Sequence, residues 1–278
     1  MLAYRHHFHA GNFADVFKHA LLARLLVALT KKDKPFCYLD THAGIGRYDL
    51  AHRWAQKNRE FEQGIGRLWA RRDAPALLEP YLDAVRAENP DGTLGVYPGS
   101  PLIAQRLLRA GDRMILCELN KRDHDALRKY LVRERRSGVN LIDGFQAVKA
   151  HLPPRERRGL VLMDPSFDRK GEYQRVVDAL GEAHRRFATG VCAFWYPLMQ
   201  PAALRQFERT LREAGVPRIL QLELWVHPAD WTASLRGCGM LVVNPPFGFE
   251  GEAREMLPWL VGVLGSQGVG GHRIRALA

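Results

Sequence analysis

The sequence predicts an α/β protein with a doubly wound, mainly parallel sheet. Three features carry that expectation: seven short apolar runs alternate with spacers long enough for helices, the first run leads into a glycine-rich turn, and the first four runs each end in an acid. In an open parallel sheet the ligand crevice lies beyond the carboxyl ends of the strands, so these acids are expected to converge on one site. Any one of them alone reads better as a helix N-cap or turn residue, and it is four in succession that point to a shared site.

After Gly11-Asn12, the stretch from Asp15 to Lys31 places Val16, Ala20, Leu22, Ala23, Val27 and Ala28 at helical spacing. It closes on Lys31-Lys32, which suits a helix C-terminus, so a leading amphipathic helix is expected. Pro35 ends that pattern, and Phe36 to Asp40 reads as a buried strand running into His42-Ala43-Gly44-Ile45-Gly46. Further strands are expected over Met114 to Glu118, Val139 to Asp143, Leu160 to Asp164, Val191 to Trp195, Ile219 to Leu224 and Met240 to Asn244. Leu102 to Leu108, Asp125 to Val132 and Val176 to Phe187 have helical patterns between them.

One spacing departs from the simplest scheme. Dinucleotide-type folds place the second-strand acid roughly 20 residues past the glycine turn, whereas Glu118 follows Gly46 by 72. Phe61, Ile65, Leu68 and Trp69 mark one apolar helix face in that gap, and Leu77, Leu78, Tyr81, Leu82 and Val85 mark another. The expected organisation is therefore a single domain over 1–278, with a helical extension over 1–34 and a helical insertion over about 50–95. The glycine-rich tail after Gly265 is expected to fray.

The 278 residues suffice for a substantial core, and 46% hydrophobic with 26% charged residues excludes a disordered chain. No apolar run is long enough to span a bilayer. The start Met1-Leu2-Ala3-Tyr4-Arg5-His6-His7 lacks an apolar h-region, so a cytoplasmic location is expected. Cys37, Cys117, Cys192 and Cys238 are at least 46 residues apart and are expected to be reduced core residues. A net charge of +11 suits a polyanionic partner better than a small acid.

Two turns carry candidate chemistry. The first, Asp40 to Gly46, has no Gly-Lys-Ser/Thr and is not a Walker loop, but its small residues let a ligand approach the backbone. The second, Asp164-Pro165-Ser166-Phe167, is close to the Asp/Asn-Pro-Pro-aromatic tetrapeptide of amino-methyltransferases. An adenine N6 is a poor nucleophile and must be held in line with the methyl donor. An Asp carboxylate and the next Pro carbonyl can each accept one N6 hydrogen bond, while an aromatic ring stacks on the extruded base. Asn244-Pro245-Pro246-Phe247 matches the tetrapeptide literally. Chain order favours Asp164, because the catalytic turn should follow soon after the second and third strand acids.

Several further segments occur in order: Tyr4-Arg5-His6, His9 to Asn12, Ala14-Asp15, Lys18-His19, Leu39 to Gly44, Tyr97 to Pro101, Asp143-Gly144 and the Asp164 turn. With them the chain resembles, essentially end to end, the bacterial 23S ribosomal RNA adenine(2030)-N6 methyltransferase family. The resemblance implies a Rossmann-like methyltransferase fold, with a mainly parallel seven-stranded sheet that includes an antiparallel strand. It also implies that His19, His42, Gly44, Ser100, Glu118, Asp143 and Gly144 bind S-adenosylmethionine, that Asp164, Pro165 and Phe167 are catalytic, and that Tyr4 touches the RNA. The expected partner is 23S ribosomal RNA, with no membrane and no metal, and the chain is expected to be a monomer. Ser166 departs from the family's second proline and leaves φ unconstrained there. His7 and His9 lack a Cys or acid cluster to complete a metal site.

Three alternatives stand beside this reading: the same chemistry on DNA or another RNA, an RNA-binding protein weakened catalytically at Ser166, and a nicotinamide oxidoreductase using the Gly44 turn. The paired basic residues Lys31-Lys32, Arg71-Arg72, Lys121-Arg122, Arg133-Arg135-Arg136, Arg155-Arg157-Arg158 and Arg185-Arg186 would give RNA a broad footprint.

Overall fold

The computed structural model describes residues 5–168, 171–199, 201–266 and 268–277. The chain runs through α1 (Phe13–Thr30), β1 (Cys37–Asp40), β2 (Arg47–Asp49), α2 (Arg53–Asn58), α3 (Ile65–Trp69), α4 (Glu79–Ala87), β3 (Val96–Pro98), α5 (Ser100–Leu107), β4 (Arg113–Cys117), α6 (Lys121–Tyr130) and β5 (Ser137–Asn140). It continues through α7 (Gly144–His151), β6 (Gly159–Met163), α8 (Glu172–Arg186), β7 (Val191–Pro197), α9 (Pro201–Glu213), β8 (Ile219–Trp225), β9 (Gly237–Val243), α10 (Phe249–Leu264) and β10 (Gly271–Ala276).

The main sheet has the order β10-β8-β9-β7-β6-β1-β4-β5. β5, β4, β1, β6 and β7 pair in parallel, and β9 lies antiparallel between β7 and β8. This is the doubly wound α/β sheet read from the sequence. β1 and β6 are buried along their whole length, because helices cover both faces of the sheet. One core cluster gathers α1, α5 and α10 with the helices that follow β2, and the other gathers α7, α8 and α9. The four cysteines are buried and unbonded.

The sheet has eight strands where seven were expected, because the tail pairs as β10 on the outer edge of β8. Cross-strand chemistry explains why it does so. Arg273 donates to Glu223, Arg275 donates to Gln221, and Ile274 packs against the core, while the glycines between α10 and β10 make the reversal.

α1 also differs from the expectation. Rather than presenting a polar face to water, it is buried continuously from Ala14 to Leu26. It touches α4, α5, α10, β6 and β9, so apolar neighbours surround it. Leu21, Leu22, Leu25 and Leu26 are fully buried, each contributing about 1.5–3 kcal/mol. The Asn12 carboxamide caps the helix by accepting from the Ala14 and Asp15 amides, which aims the first turns at the sheet's functional edge. β2 and β3 pair antiparallel, Tyr48 opposite Tyr97, and the chain between them is helical.

Candidate active site

β1 lies between β4 and β6, and a cavity of about 1030 Å³ opens beyond their carboxyl ends. His19, His42, Gly44, Ser100, Glu118, Asp143, Gly144, Asp164, Pro165 and Phe167 all line it. Tyr4 lies outside the described residues.

Backbone geometry shapes the wall formed by the β1 turn. Gly44 has φ +61°, and a Cβ there would come within 2.4 Å of the Tyr48 hydroxyl. Its amide donates to Glu118 Oε2 at 3.0 Å, while the Asn120 amide donates to Oε1 at 2.7 Å, so the strand-end carboxylate bridges two loops. Burial pushes the Glu118 carboxyl above its ordinary range. Asp143 lies beyond β5 and caps α7: its Oδ1 accepts from the Phe145 and Gln146 amides, and Arg175 stands 3.5 Å from Oδ2. The helix-cap and cleft-lining readings of this acid therefore both hold. A Cβ on Gly144 would sit 2.3 Å from the Thr41 carbonyl oxygen and 2.5 Å from the His42 ring. Gly144→Ala is expected to push α7 away from the β1 turn and to destabilise the fold by about 1–3 kcal/mol, as read by denaturant unfolding.

The four strand-end acids do not all reach the cavity, because Asp40 lies beneath its wall. There Asp40 accepts from Ser100 Oγ at 2.6 Å, Tyr38 Oη at 2.8 Å and the His42 amide at 3.2 Å. Burial dominates over these three bonds and raises the carboxyl to about 6. A raised carboxyl favours folding below its unfolded value of 3.8, and that contribution is lost as pH rises through about 6. Between pH 4 and 8 the stability difference between wild type and Asp40→Asn is expected to shift against wild type by about 2.4 kcal/mol. A pH-independent difference in denaturant unfolding would contradict this.

Asp164 directly follows β6, and Phe167 has φ +54°. The Phe167 ring packs edge-on to Trp195 at 5.8 Å and against Tyr173 at 5.1 Å, so ring contacts hold the turn although Ser166 does not constrain it. The sequence reading gave no role to the groups that hold Asp164. Lys18 Nζ donates to Asp164 Oδ2 at 2.5 Å and pairs with Asp15 Oδ1 at 2.8 Å. Asp15 Oδ2 bonds His6 Nε2 and accepts from the Gly11 amide, both at 2.9 Å. Burial alone would lower the Lys18 ammonium, but Asp15 and Asp164 hold it above its ordinary value. Burial would likewise raise Asp15, yet His6 and Lys18 bring it well below the usual carboxylate range. The available signal was a lysine inside the apolar run Val16 to Leu22, since a cation there needs a buried partner.

Two cavity histidines are held neutral. Burial, then the neighbouring Lys18, lowers His19 well below its ordinary value, and its Nδ1 bonds Tyr97 Oη at 2.8 Å. Burial lowers His42 to about 4 against the opposing pull of Asp164 and Asp143. The loop between β8 and β9 adds a wall absent from the sequence reading, where Trp231 stacks on His227 at 4.1 Å.

Asn244-Pro245-Pro246-Phe247 does not line the cavity. β9 runs antiparallel to β7, so its carboxyl end lies at the opposite edge of the sheet. There the Asn244 carboxamide donates to the Ala188 and Gly190 carbonyls, and Phe247 is exposed. The basic footprint also thins. Arg136 pairs with Glu134, Arg158 donates to the Leu29 and Lys34 carbonyls, and Arg185 and Arg186 bind Glu182.

Comparison with known proteins agrees with this geometry. Residues 33–277 match the family described as RsmJ, ribosomal RNA large subunit methyltransferase D, RlmJ. Ribosomal RNA large subunit methyltransferase J of Escherichia coli (strain K12) is 45% identical over 270 residues, covering 97% of this chain and 96% of that protein. Its namesake in Haemophilus influenzae is 44% identical over 271 residues, with the same coverage. A crystal structure of a Legionella pneumophila protein superposes with a TM-score of 0.90 at 39% identity, covering 96% of this chain and 98% of that one. With an acid-Pro turn at the end of β6, the strand beside the central one, and relatives matched over nearly their full length, this chain belongs to the ribosomal RNA large subunit methyltransferase J family.

Proposed function

We propose that this protein methylates N6 of an adenine in 23S ribosomal RNA, adenine 2030 by family resemblance, with S-adenosylmethionine as methyl donor. The observation that carries this reading is the Asp164 carboxylate, held by the buried Lys18 in the same cavity as Glu118, Asp143 and the Gly44 turn. The residue set fits the donor. Two histidines are neutral there, and acids predominate, so a cationic sulfonium meets little repulsion. When bound, the donor supplies an electrophilic methyl group.

The chain's own residues do the rest. Glu118 suits ribose hydroxyls and Asp143 suits an adenine amino edge. The Gly44 turn suits the methionine end, and His19, His42, Ser100 and Gly144 complete the wall around the donor. Lys18 occupies Asp164 Oδ2, which leaves Oδ1 and the Pro165 carbonyl as acceptors for the two N6 hydrogens. Phe167 offers its ring to the extruded base, and Tyr4 contacts the RNA. Ribosomal RNA puts this reaction in the cytoplasm. One chain carries every group named, which supports a monomer.

The test is to map N6-methyladenine in 23S RNA from cells with and without this protein, alongside methylation assays on DNA and other RNAs. Loss of one 23S site in its absence is expected. An unchanged 23S map would overturn the proposal.

A further inference from the structure

A band of rings leads away from the cavity across the helical region that follows β2. His7 lines the cavity and stands edge-on to Tyr48 at 5.3 Å and to Trp54 at 5.5 Å. Beyond it, Trp54 stacks on Phe8 at 5.7 Å with 29° between the planes. Cations surround these rings: Arg5 and Arg53 lie 5.8 and 5.5 Å from the Trp54 ring centre, and Lys57 lies 5.7 Å from that of Phe8. Phe8, Arg53, Trp54, Gln56 and Lys57 line a shallow depression separate from the cavity. Nearby acids are engaged elsewhere, Asp123 by Arg5 and Glu60 by His9 and Asn12. Between Ala51 and Arg59 the chain carries Arg53, Lys57 and Arg59 and no acid.

We infer that this depression is a second RNA-binding site, which seats an unpaired nucleotide flanking the target adenine. Aromatic rings beside cations suit nucleic acid, because any base can stack on a ring while Arg53 and Lys57 meet its phosphates. Gln56 Nε2 is held by the Leu50 carbonyl at 2.7 Å, which leaves the carboxamide oxygen to accept from a base edge. Continuity with the cavity through His7 and Arg5 lets one strand occupy both places. Burial, then His52 and His6, lowers His7 to about 4, so this link is an uncharged ring at neutral pH. The inference rests on the proposed RNA substrate and deepens it.

The test compares an RNA hairpin carrying the target adenine within long single-stranded flanks with a short oligonucleotide that holds only the target and its immediate neighbours. On the long RNA, Trp54→Ala is expected to raise KM roughly tenfold with kcat and S-adenosylmethionine affinity unchanged, and Trp54→Phe to restore it. On the short RNA the same variant should match wild type. Arg53→Ala with Lys57→Ala should reduce the salt slope of RNA binding by about 1.4. Unchanged KM and salt slope on the long RNA overturn the inference, as does an equal loss in kcat or cofactor affinity, which would indicate a structural role for Trp54. Failure of wild type to methylate RNA at all would overturn the proposed reaction instead. RNA binding by wild type and Trp54→Ala would still report on the depression.

Discussion

Replacing Asp164 by Ala is expected to abolish methyl transfer to RNA, lowering kcat by roughly 10³-fold or more, while S-adenosylmethionine still binds. Removing the carboxylate deletes the N6 acceptor and releases Lys18 from one of its two anionic partners. The isosteric change sharpens the test. Lys18 is a pure donor bonded to one oxygen of Asp164. An Asn at this position has one oxygen and one NH2, so it must present a donor either to Lys18 or to the amine. Asp164→Asn is therefore expected to fall close to Asp164→Ala in kcat. Near-wild-type turnover for Asn would show that Lys18 does not constrain the carboxylate, and undiminished activity for Ala would refute the assignment of Asp164. Single-turnover methylation with isothermal titration of the cofactor separates the two effects.

Lys18→Met is expected to have the second large effect, acting on stability as well as rate. Lys18 and Asp15 are both buried, and removing the cation leaves Asp15 with His6 and the Gly11 amide as its hydrogen-bond partners among the described residues. Breaking a buried pair in this way costs about 3–5 kcal/mol. Asp164 also loses the group that orients it, so kcat should fall about a hundredfold at temperatures where the variant remains folded. The Lys18→Met, Asp15→Asn double variant removes the uncompensated charge. It should recover much of the stability without recovering turnover, which distinguishes the positioning role from the structural one. Recovery of both would contradict a positioning role for Lys18.

Much of the fold was legible because it rests on local chemistry. The seven apolar runs became strands shifted by at most two or three residues at their ends, since strands buried on both faces must be apolar along their length. The gap between Gly46 and Glu118 announced extra chain, and its apolar spacings announced helices. Other features depended on partners remote in sequence. The tail became β10 because β8 offered Glu223 and Gln221 to its arginines. α1 lost its solvent face because α4, α5 and α10 close around it.

The candidate site divides along the same line. The sequence by itself determined the residue types at the strand ends, the small residues in the β1 turn and the acid-Pro-aromatic turn after β6, because each is a short-range requirement of backbone geometry or of amine chemistry. It also held two matches to one tetrapeptide. Chain order already favoured the one at Asp164, and the tertiary structure supplied the physical ground, since strand direction decides which edge of a sheet a turn occupies, and β9 runs antiparallel. The structure likewise put Asp40 under the cavity wall rather than in it, and brought Lys18 to Asp164 across 146 residues. A buried charge takes its function from the charge it meets, and that meeting depends on how distant segments pack.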